Sequence, residues 1–83
     1  RMILVDVYIP SMDNTYDFML EENVPVEQVI VEICDMLSRK VKSLVPAKME
    51  DFMMCSMDED KILDKQETLY GNGIRDGSRL MLV

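Results

Sequence analysis

The chain has 83 residues, of which 48% are hydrophobic and 30% charged, a balance that predicts one folded domain over residues 1–83 and excludes a disordered chain. Sixteen acidic against nine basic residues give a formal charge of -7, which disfavours nucleic acid and anionic lipid as partners. No apolar stretch approaches the roughly 20 residues of a membrane-spanning helix, and the N-terminus carries no secretion signal, so we expect no membrane insertion.

The first 20 residues alternate in the manner of two β-strands. Apolar residues stand at every second position of the first strand, at Ile3, Val5, Val7 and Ile9. Turn-forming residues occupy positions 10–14, and the alternation resumes at Tyr16, Phe18 and Leu20. We predict an N-terminal hairpin.

A helix follows, with Pro25 at its first position. Proline suits this position because an N–H group there would have no partner within the helix. Its apolar residues recur at three- and four-residue intervals and form one stripe, at Val26, Val29, Ile30, Ile33 and Leu37. The basic residues Arg39, Lys40 and Lys42 suit the negative end of the helix dipole, and we expect the helix to end before Pro46.

Three further strands complete the predicted order. We place them at residues 52–57, 61–63 and 79–83, with a polar turn at residues 58–60. Gly71 and Gly73 mark a tight connection, and Asp76-Gly77 turns the chain into its final strand. One helix that covers one mixed sheet of four to five strands satisfies this order, with the first and last strands parallel at the centre. The predicted fold is α+β, a β-grasp of the ubiquitin-like type.

Several stretches resemble a known family. Thr68-Leu69 through Gly73-Ile74-x-Asp76-Gly77-x-x-Leu80-x-Leu82-Val83 looks like the closing part of ubiquitin-like domains. Together with Tyr16-Asp17-Phe18-x-Leu20 and Pro25-Val26-x-x-Val29-Ile30, it resembles the YukD/EsaB family over nearly the whole chain. The sequence departs from that family in a longer region at residues 38–51 and in Phe52, where members often carry tryptophan.

The resemblance implies a bacterial, cytoplasmic, ubiquitin-like accessory protein of the type VII (Ess/Yuk) secretion system, which binds protein components of that machinery and is not an enzyme. It extends to the ubiquitin-like domain attached to a membrane subunit in related mycobacterial systems. Two alternatives remain open. One is a ubiquitin-like or sulfur-carrier protein activated at a C-terminal di-glycine, although here nothing follows Val83; the other is a β-grasp module of a larger membrane subunit.

The residues offer no catalytic, cofactor or metal site. The chain has no histidine, and the acidic residues 58–60 read as a solvated turn, without the glycine and glutamate that a calcium loop requires. Gly71, Gly73 and Gly77 lack the spacing of a dinucleotide-binding loop and are interpreted as turn residues. Cys34 and Cys55 are too few for a zinc site, so we expect two free thiols in a reducing compartment.

A protein-binding surface is predicted on the side of the sheet that faces away from the helix. If Leu80 and Leu82 point toward the helix, their neighbours on the last strand point outward. On the third strand we expect Met53, Cys55 and Met57 to face the helix and the residues between them to face outward. The outward residues suit docking because methionine adapts to varied partners. The candidate binding residues are Phe52, Met54, Met81 and Val83, with a homodimer contact as an alternative use of the same residues.

Overall fold

The structure is a computed structural model that describes residues 1–40 and 51–83. Within these residues the chain forms β1 (Met2–Ile9), β2 (Asn14–Glu21), α1 (Val26–Lys40), β3 (Met54–Ser56), β4 (Lys61–Ile62) and β5 (Arg79–Leu82). A short 3-10 helix at Pro10–Met12 joins the first two strands. The predicted succession of strands and helix is confirmed, with the third to fifth strands one to three residues shorter than expected.

The strands form one mixed sheet in the order β2-β1-β5-β3-β4. β1 is antiparallel to β2 along its whole length, from Met2 opposite Glu21 to Ile9 opposite Asn14. On its other side β1 lies parallel to β5, with Val7 opposite Leu80. The two ends of the chain therefore meet at the centre of the sheet, which confirms the ubiquitin-like β-grasp.

The apolar stripe of α1 covers one side of this sheet. Every residue predicted for the stripe is at most 2% exposed, and Cys34 is buried beside them. The carbonyl of Pro25 accepts the Val29 N–H at 3.1 Å, so Pro25 caps the helix and the first helical residue is Val26, one later than predicted. The expected end before Pro46, like Lys42, lies outside the described residues.

The core lies between α1 and the inner side of the sheet. β1, β2, β3 and β5 contribute alternate side chains, and the connection between β4 and β5 adds three more. Among the described residues outside α1, the buried hydrophobic ones are Ile3, Val5, Val7, Ile9, Phe18, Leu20, Met54, Leu63, Leu69, Ile74, Leu80 and Leu82.

A turn before β5 sets the register of the last strand against β1. Gly77 has a φ of 84°, which a residue without Cβ adopts readily, and its N–H donates to the Leu4 carbonyl at 2.7 Å. The Asp76 carboxylate accepts the Leu4 N–H at 2.8 Å. The predicted turn at Asp76-Gly77 thus connects directly to the first strand.

The orientation of β3 differs from the prediction. Met54 is 0% exposed and Ser56 is 2% exposed, so both face the helix. Met54 lies opposite Leu82 and Ser56 opposite Leu80, and residues that pair directly across two strands share a face of the sheet. Because Leu80 and Leu82 of β5 face the helix, the even-numbered residues of β3 that pair with them face the helix as well.

Two of the candidate binding residues are misplaced as a result. Met54 belongs to the core, and Phe52 packs partly buried against it, so their predicted outward placement is wrong. The odd-numbered residues Met53, Cys55 and Met57, which were expected to face the helix, occupy the outward positions instead.

Candidate functional site

The side of the sheet that faces away from α1, called the outer face below, carries one row of side chains that crosses all five described strands. The strand register places Thr15 beside Tyr8, Tyr8 beside Met81, Met81 beside Cys55, and Cys55 beside Ile62. The last four are largely apolar, and Ile62 is 63% exposed at the end of the row. We call these five residues the central row.

Exposed apolar residues extend the central row on the side of β3 and β5. Met53 and Val83 exchange two backbone hydrogen bonds, of 2.6 and 2.9 Å, so their side chains stand next to each other on the outer face. They are 42% and 40% exposed, and Met57, on the other flank of the row, is 46% exposed. Together with the apolar members of the central row they form the apolar patch: Tyr8, Met53, Cys55, Met57, Ile62, Met81 and Val83.

The apolar patch is contoured. A shallow groove of about 310 Å³ runs between β3, β4 and β5, lined by residues that include Cys55, Ile62 and Met81. A second one, of about 290 Å³, is lined by residues that include Tyr8, Met57 and Arg79. Such depressions can receive individual apolar side chains of another molecule.

A charged row borders the apolar patch. Asp17, Asp6 and Arg79 lie side by side on β2, β1 and β5. Like charges directly across two strands repel, and a hydrogen bond to the Asp17 carboxyl, with the negative charge of that group, raises the pKa of Asp6. Beyond this row, Met2, Leu4 and Met19 form a smaller exposed apolar cluster.

In the part of the chain that the structure describes, two basic side chains lie beside the patch, and both are already paired. Arg79 donates its Nε–H to the Asp58 carboxylate at 2.9 Å, and its backbone N–H donates to the same carboxylate at 2.8 Å. These bonds hold the pKa of Asp58 below its usual range. Lys61 lies 3.3 Å from the Glu59 carboxylate. The negative charge of Asp6 and Asp17 therefore dominates the border of the patch.

The structure brings two of the four predicted binding residues to this surface. Met81 and Val83 belong to the apolar patch, whereas Phe52 and Met54 do not. Sequence reasoning directed Met53, Cys55 and Met57 to the wrong side and missed Tyr8 and Ile62. Tyr8 was detectable, because it alternates with buried residues of β1, but Ile62 lies on a two-residue strand that has no alternation to read.

The remaining polar features have structural roles. Arg39 forms an ion pair with Asp35 at 2.8 Å, one helical turn away. Cys34 and Cys55 are free thiols, and burial raises the pKa of Cys34, which makes it less reactive. Among residues 1–40 and 51–83, no group of three or more potential ligands surrounds a metal position, and no helix has the length and apolar character to span a bilayer.

Comparison with known proteins gives one family. Residues 4–82 match the family described as "WXG100 protein secretion system (Wss), protein YukD". The match covers nearly the whole chain, including β1, α1 and β5. No curated protein matches.

Solved structures share the fold. The ubiquitin-like domain of EccD5 from Mycobacterium xenopi is 18% identical with a TM-score of 0.78, over 100% of this chain and 93% of that one. The ubiquitin of Caldiarchaeum subterraneum is 17% identical with a TM-score of 0.72, over 99% and 91%. The N-terminal ubiquitin-like domain in the 4931431F19Rik protein is 28% identical with a TM-score of 0.77, over 100% and 74%.

Proposed function

Because this chain belongs to the YukD family of the WXG100 protein secretion system, we propose that it is a non-catalytic accessory subunit of such a type VII system. In this proposal it works as a single domain that binds other protein components of the machinery non-covalently. The binding surface is the apolar patch.

The central row is the observation that carries the proposal. When one face of a sheet is exposed to solvent, the residues on that face are normally polar. Here the outer face instead carries apolar side chains across four neighbouring strands. Contiguous exposed apolar surface of this kind marks interaction sites on small proteins. The three methionines of the patch can repack against a partner.

The charges around the patch favour a basic partner. Asp6 and Asp17 repel each other, while Arg79 and Lys61 are held by Asp58 and Glu59. A lysine or arginine placed opposite Asp6 and Asp17 would relieve that repulsion. A second copy of the chain is a less favourable occupant, because two molecules of charge -7 repel each other.

The carboxylates favour a binding role over a catalytic one, and the thiols bear on where the protein works. Exposed carboxylates with a shifted pKa (Asp6, Glu21 and Asp58) owe the shift to neighbours on the surface, and none lies beside a nucleophile or base in an enclosed cavity. The free thiols suit a reducing compartment, so we place the protein in the cytoplasm.

The test is capture of secretion components by a tagged chain in a bacterium that carries the secretion genes. Ile62→Asp introduces a charge into the patch at a position that is 63% exposed, so folding should be unaffected. We expect it to lower the recovered amount of the secretion ATPase or membrane subunits about tenfold or more. Export of the WXG100 substrate should fall in parallel.

The matched control is Val31→Asp, which places the same charge on the exposed side of α1, at a residue that is 46% exposed. It should leave capture and export near the level of the unmodified chain. Equal capture by folded Ile62→Asp and Val31→Asp variants would reject the apolar patch as the binding surface. Met54→Asp is unsuitable, because Met54 is buried and its substitution would unfold the core.

A further inference from the structure

β2 forms one edge of the sheet, and its outer side is open along the middle of the strand. β2 pairs with β1 alone, and the Glu22 N–H bond to the Arg1 carbonyl fixes which residues of β2 direct their backbone groups toward β1. By alternation, Asp17 and Met19 direct their N–H and C=O groups away from the sheet. In the part of the chain that the structure describes, these groups have no hydrogen-bond partner.

The ends of the same edge are closed. The Thr15 N–H is bound by the Asn14 side chain at 2.9 Å, and the Glu21 carbonyl accepts the Val24 N–H at 3.4 Å. The open part is therefore short and central. Edge strands of natural proteins are usually protected by proline, lysine or a covering element, and β2 has neither proline nor lysine.

A groove lies between this edge and α1. It has a volume of about 280 Å³ and is lined by Tyr16, Asp17 and Phe18 from β2 and by Met36 and Leu37 from α1. Met36 is 37% exposed. A strand added to the edge would direct alternate side chains into this groove, where Phe18, Met36 and Leu37 offer apolar contacts.

The charges at the edge restrict the other side chains of such a strand. Asp13, Asp17 and Glu21 follow one another along β2 and the turn before it. Among the side chains that the structure describes, the neighbouring cation Arg39 is already bound to Asp35. An added strand therefore gains from lysine or arginine at the positions that face Asp17.

We propose that the open edge of β2 binds an extended segment of a partner protein in which apolar residues alternate with basic ones. The segment continues the sheet by bonding to the backbone of Asp17 and Met19, places its apolar residues in the groove, and places its basic residues beside Asp17. This surface adjoins the apolar patch at Asp17, but the backbone groups of β2 and the groove that it uses lie outside the patch, so the inference does not depend on the function proposed above.

The test uses the synthetic peptide acetyl-KVKVKVK-amide, which is long enough to cover the edge and has the alternating pattern. Its affinity for the ¹⁵N-labelled chain should exceed that of KKVVVKK and EVEVEVE by about tenfold or more, because the first lacks the alternation and the second has the wrong charge. The amide protons of Asp17 and Met19 should exchange more slowly with solvent when the peptide is bound.

Four variants locate the binding. Met19→Pro removes one edge donor and should abolish binding, whereas Met19→Ala keeps the donor and should retain it. If Met19→Pro does not fold, Met36→Lys serves instead, because it places a cation in the groove at an exposed position. Ile62→Asp should leave peptide binding unchanged.

The proposal is overturned if KVKVKVK and EVEVEVE bind equally, or if no binding occurs up to millimolar peptide. Binding without protection of Asp17 and Met19, or binding that survives both Met19→Pro and Met36→Lys, also overturns it. A monomer–dimer equilibrium of the free chain that Met19→Pro abolishes would assign the edge to a second copy and reject the peptide.

Discussion

Asn72 connects the loop between β4 and β5 through its side chain. Its Oδ1 accepts the Asp64 N–H at 2.9 Å, and its Nδ2 donates to the carbonyls of Asp64 and Thr68 at 3.0 and 2.9 Å. The residue is 8% exposed, so water replaces these bonds poorly. We expect Asn72→Ala to lower the free energy of unfolding by about 1–3 kcal/mol, measured by urea denaturation.

Asn23→Ala is the matched control, since Asn23 is exposed on the turn before α1. It should change the unfolding free energy by less than about 0.5 kcal/mol. Equal effects of the two substitutions would show that the Asn72 hydrogen bonds add nothing to the stability of the loop.

The Asp6–Asp17 pair makes stability depend on pH. The pKa of Asp6 is raised in the folded chain, so the folded form holds its proton more tightly than the unfolded form. The resulting stabilisation is complete at pH values below the unfolded pKa and is lost as pH rises through the folded pKa. At neutral pH this stabilisation is absent, and the repulsion that raises the pKa of Asp6 remains.

Asp6→Asn should therefore raise the melting temperature at pH 7, and the gain should shrink as the pH falls toward the ordinary carboxyl range. The gain should also shrink in high salt, which screens exposed charges. Asp17→Asn should act alike, and the double variant should gain little more than either single one. Additive gains that persist at low pH would contradict a repulsive pair.

At the scale of elements, the buried stripe of α1 anchors the helix to the sheet. Ile33 is 0% exposed, whereas Val31 on the same helix is 46% exposed. Truncation of a buried isoleucine removes apolar contact and leaves a cavity, so Ile33→Ala should reduce the unfolding free energy by about 2–5 kcal/mol. Val31→Ala should cost less than about 0.5 kcal/mol by the same urea measurement. Similar losses for both would mean that the helix is not held by its stripe.

The elements with a strong period were predictable from the sequence. β1 alternates strictly, and the stripe of α1 repeats with helical spacing, so burial followed directly from the pattern. The pairing of β1 with β5 followed from the strand order and from the nearly continuous apolar character of the last strand. The fold could thus be predicted from the residues whose periodicity is least ambiguous.

The orientation of β3 was not predictable in this way. Residues 52–55 are all apolar, so the strand has no polar side to mark the solvent. The one polar residue, Ser56, faces inward because its hydroxyl accepts the Glu59 N–H at 3.0 Å and is thereby satisfied without water. The register against β5 decided the orientation, and that register depends on contacts between residues far apart in sequence.

At the scale of the whole molecule, the two proposed surfaces have different orientations. The apolar patch lies on the outer face and is centred on β5 and β3, whereas the open edge is on β2, at the opposite end of the strand order from β4. They adjoin at the charged row of Asp17, Asp6 and Arg79, in which Asp17 also belongs to the open edge. Under the two proposals the protein binds one component against the sheet and one along its edge.

The reaction rates of the two thiols measure how often the folded chain opens. Cys55 stands half-buried in the apolar patch, whereas Cys34 is 3% exposed in the core and its pKa is raised by burial. In the native chain, Cys55 should react quickly with a disulfide reagent. Cys34 should react more slowly by about three orders of magnitude or more, because an opening free energy of about 5 kcal/mol exposes it in only a very small fraction of the molecules.

The reaction rate is measured on the unmodified chain and on the Cys55→Ser variant. The variant should show no fast phase until urea unfolds it. Two fast thiols in the native chain, or a fast phase in Cys55→Ser, would contradict the burial of Cys34 and with it the packing of α1 on the sheet.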